Sequence, residues 1–354
     1  MENQETTSGK IFYVNIEKGS ARGAGTIEAP MKDIQKAIDS AADGDVIRIA
    51  QGNYLGTMDR GWIQIKGKYI SLEGGWNDDF TERNPVKYIT RIQPSVAQRG
   101  TIGQGLLMIE SLTNKDARII VDGIFFDLGL VHEYAKADPT DERFGCPEGC
   151  ETGAHQSTVD FHHNTVLFSW PTTKEMESMG YGYRFRNGAD HNVHHNIFGC
   201  NNYGALDAGW DDSNLPADKR KICSAYDNLF FMNKGDIVMA GTSGGKWLYV
   251  PAKRFDEVEM LSKYENNREL PASSSFKDLI DPAYLKGFAS LKIMTTESYD
   301  PNSAANLYRE AHGLNKQGTS TTRVSMFGNR YNFDKAVQLF GAEPGYGAQL
   351  PAGN

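Results

Sequence analysis

The chain has 354 residues, 39% of them hydrophobic and 11% aromatic, with 37 glycines, which is material for a large core and excludes disorder as the default state. Its 37 basic and 45 acidic residues leave a formal charge of -8, excluding a phosphate-tracking nucleic-acid surface over much of the molecule. No stretch approaches the roughly 18 apolar residues that span a bilayer, so no membrane span is expected.

The chain opens with "MENQETTSGK", a polar leader over residues 1–10 without the apolar core of a signal peptide. Next, "APMKDIQKAIDSAADGDVIRIAQGNY" predicts a helix over residues 30–42, with Pro30 in its first turn and Ile34, Ala37, Ile38 and Ala41 on one face. Gly44 and Asp45 then turn into the strand "VIRIA". An amphipathic helix here would cap the exposed end of a stacked β architecture.

Further along, "TVDFHHNTVLFS", "NVHHNIFGC", "CSAYDNLFFMN" and "VSMFGNRYNF" share alternating residues, then Asn, then an apolar run. The asparagines are Asn164, Asn196, Asn228 and Asn329, and "IIVDGIFFD" and "ISLEGGW" place Gly123 and Gly74 in the same role. Asn and Gly tolerate left-handed backbone, so each marks a sharp corner between two short strands, and stacked asparagines can bond from one repeat to the next. Strand-rich repeats with periods of about 20–50 residues predict a parallel β-helix. The pattern breaks over residues 241–322, where "FDEVEML", "SFKDLIDPAYLKGF" and "SAANLYREAHG" read as helices and loops packed along the stack, and it returns at "VSMFGNRYNF".

The segments "GTIEAPMKDIQKAIDSAADGDVIRIAQGNY" and "SLEGGWNDDFTERNP", together with the Asn-cornered repeats to about residue 240, resemble the right-handed parallel β-helices of the pectate-lyase-like superfamily. The resemblance implies an all-β, single-stranded parallel β-helix forming one domain over residues 1–354, in a secreted, periplasmic or surface-tethered protein. It further implies an acidic polysaccharide as substrate, with a groove along the strand that precedes each Asn-cornered pair. The Asp pair with Gly-His-Gly and Arg-Ile-Lys of pectin hydrolases is absent, as is the Asp-Pro-His of alginate epimerases.

On that flank, strand alternation turns Tyr183, Phe185, Leu206, Ile237 and Met239 inward and places Arg184, Arg186, Asp207 and Asp236 outside. Paired arginines suit a uronate carboxylate, and β-elimination needs that carboxylate neutralised before the neighbouring proton can leave. Candidate bases are His155, His191, Lys174, Lys234, Tyr181 and Tyr183, with His191, Asp207 and Trp210 as substrate contacts. Asp207, Asp211, Asp212 and Asp236 are candidate calcium ligands, and Asp207 with Asp211 or Asp212 offers an acid and base for hydrolysis instead. Uronate epimerisation and non-catalytic glycan binding are the remaining alternatives.

His162, His163, His194 and His195 beside Asn164 and Asn196 read as stacked structural histidines, with zinc the alternative should rings from adjacent repeats converge. Of the cysteines, "CPEGC" (Cys146 and Cys150) reads as a local disulfide or free thiols rather than a zinc site, and Cys200 and Cys223 complete the set.

Overall fold

The computed structural model describes residues 9–56, 63–85, 87–93, 106–110, 114, 117–127, 150–153, 157–167, 169, 181–185, 189–199, 201, 204–208, 222–231, 233, 235–240, 247–269 and 347. These residues form an all-β arrangement of three long sheets, parallel except for one antiparallel edge strand.

The first sheet contains Ile11–Val14, Val46–Ala50, Ser71–Trp76, Arg118–Asp122, Ser157–His162, Ala189–His194, Cys223–Tyr226 and Leu261–Lys263. The second contains Gly52–Leu55, Thr90–Gln93, Ile124–Asp127, Thr165–Leu167, Ile197–Gly199, Leu229–Phe231 and Arg268–Glu269. The third runs through Ile63–Lys66, Leu107–Glu110, Cys150–Gly153, Tyr181–Arg184, Gly204–Asp207 and Ile237–Ala240, with Trp247–Val250 antiparallel at its edge. From Ser71 to Ala240 the chain visits first, second and third sheet in unchanging order, so each strand lies beside its equivalent in the next circuit.

Register follows from the apolar residues. Phe12, Ile47, Leu72, Val121, Phe161, Val193 and Ala225 form one continuous inward row of the first sheet. Tyr54, Ile92, Phe126, Val166, Phe198 and Phe230 do the same in the second. All are buried, and Phe198 stacks on Phe230 with ring centroids 5.7 Å apart. A slip of one residue would turn either row outward, so burial locks the register.

Asparagines close the corner between first and second sheets. Asn164, Asn196 and Asn228 are fully buried; the Asn164 N–H donates to Asn196 Oδ1 (2.9 Å), and the Asn196 N–H to Asn228 Oδ1 (3.0 Å). The left-handed residue is the one before each asparagine rather than the asparagine itself: His163 (φ 51°), His195 (φ 55°) and Asp227 (φ 50°) take that role, as do Gly123 (φ 72°) and, in place of Gly74, Gly75 (φ 85°). His, Asp and Asn are the non-glycine residues that enter this region most readily. A second ladder, Ser169, Asn201 and Asn233, marks the next corner through amide donation to Asn201 and Asn233 Oδ1.

Two boundaries differ from the sequence reading. The helix spans Ile34–Ser40 and leaves Pro30 outside its first turn, because Met31 is held in extended backbone by Tyr13 and Asn15 and because Asp33 provides the N-cap by accepting from the Lys36 N–H. Ile34, Ala37, Ile38 and Ala41 are buried as expected. The stack also continues past residue 241: Trp247–Val250 joins the third sheet, a 3-10 helix covers Ala252–Glu257, and Leu261–Lys263 and Arg268–Glu269 extend the first and second sheets. Asn267 prolongs the asparagine ladder by accepting from the Asn228 N–H at 3.0 Å. "SFKDLIDPAYLKGF", "SAANLYREAHG", Asn329 and "CPEGC" before Cys150 lie outside the described residues. No helix among the described residues is long and apolar enough to cross a membrane.

Candidate functional site

The third sheet positions the sequence-predicted site. Tyr183, Leu206 and Ile237 are successive inward residues of one row, fully buried with Phe185, and Met239 packs partly buried against the same core. The adjacent row carries Arg184, Asp207, Val238 and Tyr249 in register on the opposite side. Arg184 Nε lies 2.7 Å from Asp207 Oδ2 as an ion pair whose N–H is not well aimed at that oxygen, and the guanidinium sits 5.5 Å from the centroid of the Tyr181 ring. The pair is largely shielded, with side-chain exposures of 12% for Arg184 and 1% for Asp207.

Other candidates fall elsewhere. His191 is not a free groove residue: it is buried on the inward face of the first sheet, where its Nδ1 meets the Tyr183 hydroxyl at 2.9 Å. That contact removes Tyr183 from the bases too, since its phenol ends in the core. Tyr181 is buried beside Val238 and Tyr249. Asp236 is not on the outer row but packed at the corner, accepting from the Ala252 N–H (2.8 Å) and Asn233 Nδ2 (3.3 Å). Burial, with the nearby Glu269 charge, pushes its carboxyl up to about 7. Asp207 pairs with Arg184, and Asp236 accepts from the Ala252 N–H. His155, Lys174, Arg186, Trp210, Asp211, Asp212 and Lys234 lie outside the described residues.

A second polar constellation occupies the outer face of the first sheet. Asp122, His162, His194 and Tyr226 form one ladder row, beside the left-handed column of Gly123, His163, His195 and Asp227. His162 stacks on His194 (centroids 5.0 Å), His194 on Tyr226 (4.9 Å) and His163 on His195 (5.0 Å), while the Lys263 ammonium caps the Tyr226 ring at 3.2 Å. Carboxylates bracket the rings. Asp122 faces His162 Nδ1 at 3.4 Å and pairs with Arg83 at 2.8 Å. Asp160 contacts His194 Nε2 (3.0 Å), Arg118 (3.1 Å) and Asn192 Nδ2 (2.9 Å). Both carboxyls sit below the usual range despite the opposing effect of burial, because histidine hydrogen bonds and cationic neighbours favour their charged forms. Burial holds His163 well below its ordinary value, to about 4, and His195 is lowered as well.

The stacking of histidines from adjacent repeats follows the expectation. The part played by Asp122 and Asp160 was missed, although for Asp122 the signal was present: it precedes Gly123 as His162 precedes His163, and aligning "DGI" on "HHN" reveals it.

No family model, curated protein or solved structure matches this chain.

Proposed function

We propose that the chain is a right-handed parallel β-helix of the pectate-lyase-like kind, exported or held at the cell surface, that cleaves a uronate-containing polysaccharide by β-elimination along its third sheet. Cyclic visiting of three parallel sheets supports the fold reading, and about 98% of parallel crossovers within one sheet take the right-handed sense.

The observation that carries the chemistry is Arg184 seated on Asp207, in register on the outward row of that sheet. Asp207 holds the guanidinium by charge, its Oδ2 2.7 Å from Nε. An arginine oriented in advance stabilises the charge that builds on a uronate carboxylate as the neighbouring carbon loses its proton, without reorganising during the reaction. Shielding from water strengthens the effect. The base comes from His155, Lys174 or Lys234, and a donor returns a proton to the departing glycosidic oxygen.

The test is incubation with pectate, alginate and glycosaminoglycans while following near-ultraviolet absorbance. A lyase yields an unsaturated uronate that absorbs. Reducing ends released without absorbance overturn the reading in favour of a hydrolase, and binding without cleavage overturns it in favour of a glycan-binding stack.

A further inference from the structure

We propose that Asp122, His162 and His163 form a binding site for a divalent first-row transition-metal cation of the zinc class, on the opposite side of the first sheet from the core and independent of the third-sheet chemistry. Three observations converge on it.

The first is spacing. One donor atom from each residue lies within 4.8 Å of the other two. His162 Nδ1 is 3.0 Å from His163 Nδ1 and 3.4 Å from Asp122 Oδ1. With metal–ligand bonds of about 2.0–2.1 Å, the edges of a tetrahedral site are about 3.3 Å, so both separations suit a shared cation.

The second is how the side chains are held. Asp122 and His162 are Cα partners on adjacent strands, so the rigid sheet sets their spacing. His163 follows in left-handed backbone, and this swings its ring to the same side as that of His162. Arg83 engages Asp122 Oδ2 at 2.8 Å while Oδ1 faces His162, a division of labour that orients the ligating carboxylate.

The third is an unmet bonding requirement. The buried His163 Nε2 has no hydrogen-bond partner among the described residues, and its Nδ1 faces another Nδ1 rather than a dedicated donor or acceptor. With a proton on one Nδ1 the two rings share a single hydrogen bond, and a cation that takes the lone pairs of both Nδ1 atoms replaces it. Two imidazoles and one carboxylate select zinc, cobalt, nickel or copper over calcium or magnesium, which prefer all-oxygen shells. Three protein ligands leave a fourth position for water or an anionic group. Because Asp122 belongs to one circuit and His162 and His163 to the next, the ion would clip neighbouring circuits together.

Zinc titration of the tag-free, metal-stripped full chain, followed by calorimetry and thermal unfolding, tests the site; cobalt(II) serves as a visible-absorption probe of its geometry. The expected result is one tight zinc per chain, a raised unfolding temperature and a four-coordinate cobalt spectrum. Asp122→Asn and His163→Asn should each weaken binding at least about tenfold, and asparagine keeps the left-handed conformation accessible at position 163. His162→Gln is the second ligand variant should His163→Asn not fold, and His195→Asn should bind as the unaltered chain does. The site is overturned if the unaltered chain takes up no zinc, or if the ligand variants bind it unchanged while His195→Asn loses it.

Discussion

Asn196 sits directly above Asn228, its N–H and its Nδ2 both 3.0 Å from Asn228 Oδ1, while the same Nδ2 reaches Phe161 O at 2.9 Å and its own Oδ1 receives the Asn164 N–H. One buried amide thereby satisfies two backbone groups of the preceding circuit and joins the side chain of the next. Asn196→Ala should cost about 2–5 kcal/mol, since it strands several buried donors and acceptors at about 1–3 kcal/mol each. Asn196→Asp should be no milder, because a carboxylate cannot donate to Phe161 O. Chemical denaturation measures both; a loss below about 1 kcal/mol for the alanine variant would mean that water replaces the ladder.

The residue before each asparagine tests the corner itself. Asp227 has φ 50° in the position that His163 and His195 occupy in the preceding circuits. Asp227→Gly should leave stability within about 1 kcal/mol, because the lost side-chain contacts are offset by the removal of backbone strain, whereas Asp227→Val should cost about 1–2 kcal/mol or more. Equal unfolding midpoints for the two variants would contradict the left-handed assignment.

Much of this architecture was legible because corner residues must solve a backbone problem that few side chains can. Asn164, Asn196 and Asn228 recur in the sequence and coincide with the buried ladder. The continuation at Asn267 was invisible for a physical reason: the strand after it, Arg268–Glu269, is exposed at the end of its sheet and needs no apolar run. Alternation likewise put Tyr183, Phe185 and Leu206 inside and Arg184 outside. Asp207, on the next circuit, was also legible as an ion-pair partner for Arg184, but not the contact of His191 with Tyr183, which depends on which rows face each other across the core.

Two buried groups oppose each other in the weakly acidic range: His163, lowered from 6.5 to about 4, makes stability rise with pH between those values, while Asp236 makes it fall up to about 7. Asp236 has its carboxyl raised from an ordinary value of 3.8 to about 7 by burial. Between those values the unfolded chain has released a proton that the folded chain still holds, so the folded state loses up to about 1.4 kcal/mol per pH unit from this group. Below 3.8 both states are protonated and the contribution is complete; above about 7 both are ionised and the decline stops. Asp236→Asn should make stability rise more steeply with pH between 4.5 and 6 and remove the fall between 6 and 7.5 in urea titrations, and a pH dependence unchanged from the unaltered chain would overturn the Asp236 assignment.

The Arg184–Asp207 pair makes the last prediction, which separates catalytic loss from structural loss. With 12% and 1% side-chain exposure the pair is largely shielded, and Arg184→Ala should cost about 3–5 kcal/mol by taking the guanidinium away from a buried carboxylate. A drop in activity in that variant alone is therefore ambiguous. Replacing both residues with apolar side chains of similar size, Arg184→Met with Asp207→Leu, removes the stranded charge and should restore most of the lost stability. If Arg184 neutralises the substrate carboxylate, elimination in this folded double variant stays at least about 10²-fold below the unaltered chain. Activity that recovers along with the unfolding temperature would show that the pair only holds the third sheet together and that substrate is gripped elsewhere.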